Sequence, residues 1–258
     1  MAGLGNKRAI VTGGSTGIGL EMVRSLAAQG AEVIAIARDE SKLAAARDSG
    51  ARTIAGDVTD ADLIASTINE VDPDILILNA GARLAAKTLD RQNWEDFSAI
   101  WNTDVRATFV GIQAALDKPL RPGSRVLVTS SGAAMVMSMP AIKPEDLRMS
   151  GGYIGAKRMV WFMAHQANAV SRERGLGIRF QVLVPAQLMA GTELGHSVAA
   201  AYAEAEGITI DDHILTRYGA HLEPKQVGRQ VAEWLADPAY ATGVAYGIRA
   251  GMQPFPLD

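Results

Sequence analysis

Residues 7–27 constrain the fold of this chain most. A short apolar run at 7–12 (KRAIVT) stops at Gly13-Gly14-Ser15-Thr16-Gly17-Ile18-Gly19, after which Leu20, Val23, Leu26 and Ala27 recur at helical spacing. The order is strand, glycine turn, helix. Glycines at such a turn let the backbone approach a pyrophosphate and set it at a helix N-terminus, where unpaired N–H groups and the helix dipole favour negative charge. The same residues also suit an ordinary tight turn, but the flanking strand and helix favour nucleotide binding.

The alternation continues along the chain. Gly30 closes the first helix, and strands are expected at Glu32–Ala37 and Arg52–Ala55, with a short helix at 41–47 between them. A wholly apolar strand at 74–78 (DILIL), a long helix within 93–116, and strands at Arg125–Thr129, 178–184 and 243–248 follow. Further helices are expected at 153–174 and 224–235. Continuous apolar strands separated by helices predict an α/β fold with a doubly wound parallel sheet and helices on both faces. No linker, repeat or shift of composition divides the chain, so residues 1–258 read as one domain.

Ligands of open α/β sheets bind at the carboxyl ends of the strands. At the tip of the second strand Arg38 can tolerate a ribose 2′-phosphate, although Asp39 follows it and Arg38 also suits a solvated loop. Asp57, past the third strand, can hold an adenine amino group or cap the helix beginning near Asp60. Asn79-Ala80-Gly81-Ala82 ends the fourth strand with small residues that permit close backbone approach, and Ser130-Ser131-Gly132 ends the fifth. Neither serine lies in a GxSxG elbow, and no histidine is suggestively placed, so a hydrolase nucleophile is disfavoured. Asn102 and Asp104 interrupt the apolar surface of the long helix; an asparagine there suits a core amide, a helix bulge or a water site.

Tyr153 and Lys157 stand four positions apart at the start of a helix, on one face. A fixed cation within about 4–6 Å favours the phenolate, making a tyrosine a usable proton donor and acceptor near neutrality. Such a pair also occurs on solvated helices, so its meaning depends on the rest of the chain.

The totals exclude several classes. The net charge of −3 gives no basis for nucleic-acid or anionic-membrane binding, and the absence of cysteine removes disulfides and thiolate chemistry. His165, His196, His213 and His221 show no metal-ligand spacing, so no metal is expected. The N-terminus lacks the apolar core of a signal peptide, and no apolar run has the length of a membrane span. These features lead to the expectation of a cytoplasmic protein.

In combination, Thr12-Gly13-x-x-x-Gly17-Ile18-Gly19, Asp57, Asn79-Ala80-Gly81, Asn102, Ser130-Ser131 and Tyr153-x-x-x-Lys157 resemble the short-chain dehydrogenase/reductase family over nearly the whole chain. The resemblance implies a Rossmann-like sheet of about seven parallel strands, a nicotinamide cofactor along its carboxyl edge, and a tetrad of Asn102, Ser131, Tyr153 and Lys157. Tyr153 would be the general acid for carbonyl reduction and the base for alcohol oxidation. Lys157 would support it and bind the nicotinamide ribose. Ser131, ahead of Ser130, would bond the substrate oxygen, and Asn102 would support a water relay.

The implied cofactor contacts begin with Gly13, Ser15, Thr16, Gly17, Ile18 and Gly19. Arg38, Asp57 and Val58 follow, then Asn79, Ala80 and Gly81, with Tyr153, Lys157, Pro185 and Thr192 at the nicotinamide end. Arg38 favours NADP(H) over NAD(H). The implied reaction is hydride transfer between that cofactor and a ketone or secondary alcohol of a fairly apolar small molecule. An NAD(H)-dependent alcohol dehydrogenase and a non-catalytic nicotinamide-binding sensor are the alternatives. The family's homotetramers or homodimers would form through the helices at 93–116 and 153–174.

Departures from the family pattern mark the substrate end. Twenty-two positions separate Ser131 from Tyr153, an insertion within 132–150 carrying Met135, Met137, Met139 and Met149 as a candidate substrate wall. Pro185 is followed by Ala186 rather than glycine, and Thr192 lies further on than the usual amide-gripping threonine. The irregular stretch 186–222 reads as the substrate cover, Arg83 is a candidate substrate contact, and the Pro254-Phe255-Pro256 tail would leave the last strand for a neighbouring subunit.

Overall fold

The structure, a computed structural model, describes residues 3–84, 87–138 and 152–258. One sheet has the strand order β3-β2-β1-β4-β5-β6-β7-β8. The strands are β1 (Arg8–Thr12), β2 (Glu32–Ala37), β3 (Arg52–Ala55), β4 (Ile75–Leu78), β5 (Arg125–Thr129), β6 (Arg179–Pro185), β7 (Ala245–Ile248) and β8 (Phe255–Pro256). Strands β1 to β7 pair in parallel and β8 is antiparallel to β7. The order reverses beside β1, with β2 and β3 to one side and β4 onward to the other. A crevice is expected at that reversal, above the carboxyl ends of β1 and β4.

Each central strand is apolar on both faces because each face is covered. Ile10, Ile34, Ile36, Leu76, Leu78, Val126 and Val128 join one core, with α3 (Ala61–Val71), α5 (Arg106–Asp117) and α6 (Tyr153–Glu173). The alternate residues Ala9, Val11, Val33, Ala35, Ile75, Ile77 and Leu127 join the other, with α1 (Gly17–Ala28) and α9 (Pro224–Ala236). Period-two alternation thus separates two hydrophobic layers rather than a wet face from a dry one. Gly228 of α9 rests on the backbone of Glu21 in α1, where a side chain would have no room. Between β2 and β3 lies the short α2 (Ala44–Arg47).

One expectation is sharpened and two change. The long helix within 93–116 carries a bulge: α4 (Trp94–Ile100) and α5 are joined without a break by a turn of π-helix at Trp101–Val105. The 186–222 cover is regular, with α7 (Glu193–Glu206) capped by Thr192 and α8 (Ile210–Tyr218) capped by Thr209. The tail folds back on its own sheet as β8, where Phe255 packs over Gly247 and the Asp258 carboxylate accepts from Val244 N and Ala245 N at 2.7 and 3.0 Å. Among the described residues no helix is long and apolar enough to cross a membrane.

Candidate active site

A cavity of about 1110 Å³ follows the carboxyl edge of the sheet. The β1 and β4 ends are stitched together beneath it by Thr12, whose hydroxyl donates to Ile77 O at 3.2 Å and accepts from Asn79 N at 2.9 Å and Ala80 N at 3.2 Å. Gly13 and Gly17 have φ of 68° and 55°, which favours glycine. A Cβ on Gly13 would lie 2.8 Å from Ala80 Cα, and one on Gly19 would collide with Gly13 O. The glycine pattern therefore follows from the close meeting of two strand ends.

Above this turn, α1 begins without protection. Thr16 makes no side-chain capping bond, and no acidic residue lies in the first turn. The orphan N–H groups of a helix start demand an acceptor, and Ser15, Thr16, Gly17 and Ile18 line the cavity there. A dinucleotide pyrophosphate fits that donor set.

At the adenosine end, Arg38 and Lys42 both line the cavity. Asp39 turns into its own loop, accepting from the Ser41 hydroxyl at 2.6 Å and Ser41 N at 2.9 Å. The Ser41 hydroxyl bond is the main reason its carboxyl sits below the ordinary value. Asp57 accepts from Thr59 N and the Thr59 hydroxyl, both at 2.9 Å, and Val58 lies beside it on the wall. The Thr59 backbone bond foremost, with Arg38 and Arg106 adding to it, holds the Asp57 carboxyl below its ordinary value. The α3 cap is Asp60, which accepts from Asp62 N and Leu63 N at 3.0 and 3.2 Å. Capping therefore does not account for Asp57.

At the other end, Tyr153 opens α6 and Lys157 follows one turn later, its Nζ 5.6 Å from the Tyr153 ring centre. Lys157 Nζ lies 2.8 Å from Asp104 Oδ2 and donates to Thr129 O at 3.2 Å. The contact with Asp104 is an ion pair rather than a well-directed hydrogen bond, since Oδ2 has no donor of good geometry. Burial alone would lower the Lys157 pKa, but Asp104, with Tyr153, outweighs it and raises the value above the ordinary lysine range. Asp104 Oδ1 accepts from Ala82 N at 2.7 Å, tying the lysine to the loop after β4. Gly81 leaves room for this: a Cβ there would be 3.0 Å from Asp104 Oδ2.

The two serines differ. Ser130 is buried and donates its hydroxyl to Lys157 O at 2.8 Å, bracing α6. Ser131 Oγ accepts from Ala133 N at 3.2 Å and lines the cavity, so its proton can still be donated outward.

The cavity thus gathers the expected glycine-loop residues, Arg38, Asp57, Val58, Asn79, Ala80, Gly81, Ser131, Tyr153, Lys157, Pro185 and Thr192. Asn102 is not brought in. It is exposed on the π-turn, and Asp104, two residues later, takes the place beside Lys157. The signal for Asp104 was its register with the buried Ile100, Ala107, Thr108 and Gly111, which share one helical face. Thr192 reaches the wall, but its hydroxyl donates to Met189 O at 3.0 Å and accepts from Gly195 N at 2.9 Å. It serves as a helix cap, which engages its proton and leaves one lone pair of the hydroxyl that can still accept.

Arg83 also lines the cavity and pairs with Glu193 of the cover. Of the four methionines in the insertion, Met135 lines the cavity; Met139, Met149 and the Met137 side chain lie outside the described residues. The cover instead supplies Met189, Leu194, Val198, Tyr202, His213 and Tyr218.

The sequence profile described as short chain dehydrogenase matches residues 7–201. The chain belongs to the short-chain dehydrogenase family. The chain is 36% identical over 138 residues to a 3-dehydrosphinganine reductase of Arabidopsis thaliana, covering 48% of this chain and 42% of the relative. It is 32% identical over 154 residues to gluconate 5-dehydrogenase of Gluconobacter oxydans, covering 55% and 59%. The match therefore spans about half the length of each of these two relatives. A 1,2-dihydroxy-1,2-dihydronaphthalene dehydrogenase of a Ralstonia species matches at 29% identity over 94% of this chain and 95% of its own. A short chain dehydrogenase from Burkholderia cenocepacia, crystallised in complex with NADP, superposes with a TM-score of 0.73 at 26% identity, covering 95% of this chain and 96% of that one.

Proposed function

We propose that residues 1–258 act as one catalytic domain that transfers hydride between NADP(H) and a ketone or secondary alcohol of a fairly apolar small molecule. The observation that carries the reading is one cavity bordered at one end by the uncapped start of α1 and at the other by Ser131, Tyr153 and Lys157. When bound, the nicotinamide supplies or accepts the hydride.

The chain's residues do the remaining work. Ser131 and Tyr153 donate to the substrate oxygen, where negative charge grows during reduction, so they assist most in the transition state. Tyr153 gives its phenolic proton to that oxygen, and takes it back in the oxidising direction. Lys157, anchored by Asp104 and Thr129 O, keeps a positive charge beside the phenol. Arg38 and Lys42 support a 2′-phosphate; Asp39 lines the cavity beside them, with one carboxylate oxygen engaged by Ser41. The named relatives are a reductase and two dehydrogenases, in keeping with this chemistry.

The experiment is Tyr153→Phe with NADPH and a panel of ketones. Turnover should fall by about a thousandfold or more while NADPH affinity stays within a few fold, since a general acid–base group contributes about 10²–10⁴. Substantial residual reduction would overturn the assignment.

A further inference from the structure

The substrate cover holds a polar group that hydride transfer does not use. His213, in the first turn of α8, is only 3% exposed and lines the cavity. Its Nδ1 lies 2.7 Å from Glu206 Oε2 at the end of α7, and its ring stacks on Tyr202 at 5.6 Å with an interplanar angle of 6°. Tyr202 lines the same cavity.

The Glu206 contact alone would suit a clamp between α7 and α8. It leaves Nε2 unexplained, for that atom makes no hydrogen bond to a described residue. The residue lines the cavity, so that nitrogen is open to a ligand. An ionised carboxylate only accepts, so Glu206 places the proton of a neutral imidazole on Nδ1 and leaves Nε2 as an acceptor. The flat Tyr202 ring fixes the plane in which that lone pair lies.

We infer that His213, oriented by Glu206 and Tyr202, is a hydrogen-bond-accepting subsite for a second hydroxyl on the substrate, remote from the carbon that exchanges hydride. The inference rests on the hydride-transfer reading and adds a substrate class: hydroxy ketones and diols rather than simple ketones and alcohols. His213 is a specificity residue, since it meets the substrate away from the reacting atoms. An apolar wall from Met189, Leu194 and Val198 with one directed acceptor suits a mostly apolar substrate of this kind.

The test compares NADPH-dependent reduction of cyclohexanone, its 2-, 3- and 4-hydroxy derivatives and the corresponding methoxy ketones at pH 8. At least one hydroxy ketone should exceed cyclohexanone in kcat/KM by roughly three- to tenfold, the worth of one neutral hydrogen bond. Its methoxy analogue, which cannot donate, should lose that advantage. His213→Phe should bring the hydroxy-to-deoxy ratio close to one.

Glu206→Gln, whose amide can donate to Nδ1, permits the reversed tautomer and should narrow the gap between hydroxy and methoxy substrates. It also serves as the second variant if His213→Phe does not fold. A mere helix clamp would lower the melting temperature and the rates of all substrates in proportion, leaving these ratios unmoved. That result, or equal use of hydroxy and deoxy ketones by the unaltered enzyme, would overturn the inference while leaving hydride transfer intact. Failure to reduce any ketone despite NADPH binding would overturn the underlying reading as well.

Discussion

Asp104 Oδ2 sits 2.8 Å from Lys157 Nζ, in a pair whose side chains are 2% and 7% exposed. Taking either charge out of water carries a large desolvation penalty, which the other offsets together with Thr129 O and Ala82 N. The π-turn makes the contact, bringing the carboxylate inward between the Ala82 backbone and the lysine. The raised Lys157 pKa has a definite sign. Its contribution to stability is complete below the ordinary lysine value and is lost as pH rises through the higher folded value.

Asp104→Asn should therefore leave the shape of the site and remove the charge that holds the lysine proton. The alkaline limb of the kcat/KM profile is expected to move toward neutral pH by about one unit or more, each unit being about 1.4 kcal/mol of lost differential interaction. The folded state should lose about 3 kcal/mol, the lower end for breaking a buried pair. Exposed Asn102 provides the contrast: Asn102→Ala should change kcat/KM less than about twofold, within the usual range for a surface position. A pH profile unmoved by Asp104→Asn would show that the pair does not set the charge on the lysine.

The cofactor half of the cavity was legible from sequence because each residue there answers a local backbone demand. Gly13, Gly17 and Gly19 are required by left-handed φ or by lack of room, and a motif records such requirements directly. The parallel strands were legible for a similar reason, as unbroken apolar runs covered on both faces. The cover was not. Helix α7 buries Gly195, Ala199 and Ala203, small residues at four-residue spacing that make no strong apolar pattern. Asp104 was missed because a reading by motif favours Asn102, although the chain turns that side chain outward and it is Asp104 that shares a buried face with Ile100, Ala107 and Gly111. The tail was misread because its pairing depends on Gly247 accepting the Phe255 ring, a contact between separate segments.

Arg38 and Lys42 are the cations lining the adenosine end among the described residues. Arg38→Ala with Lys42→Ala should raise the KM for NADPH by about 10- to 100-fold, the loss of one or two charge-assisted hydrogen bonds. The KM for NADH should move by less than about threefold, so comparing the two cofactors separates phosphate recognition from damage to the fold. An unchanged NADPH preference would remove the case for NADP(H).

Trp94, Phe109 and Phe162 are 76%, 53% and 56% exposed on α4, α5 and α6. Large apolar side chains left in water on adjacent elements mark an association surface, and we infer that these helices join copies of the chain. Light scattering after size exclusion should give a dimer or tetramer, and Phe109→Asp with Phe162→Asp should yield the monomer. An unaltered protein that runs as a monomer at micromolar concentration would refute the inference.

Asp74 provides a stability test at the opposite edge of the sheet from the cavity. Its carboxylate accepts from Arg8 N at 2.9 Å and Lys7 Nζ at 3.1 Å, and Arg121 Nη2 lies at 3.3 Å, joining the starts of β1 and β4. Burial alone would raise its pKa, but the Arg8 N–H and the two cations outweigh that and hold it below the ordinary value. A depressed carboxyl pKa contributes stability above the unfolded value, and that stability is lost as pH falls through the folded one. Asp74→Asn should cost about 1 kcal/mol at pH 7, as for a partly exposed charged contact. The difference from the unaltered protein should shrink as pH drops below about 4, the ordinary aspartate value, while kcat at pH 7 stays the same. Denaturant titrations across that range would decide it, and a loss that persisted undiminished into acid would mean that packing, not charge, secures this corner.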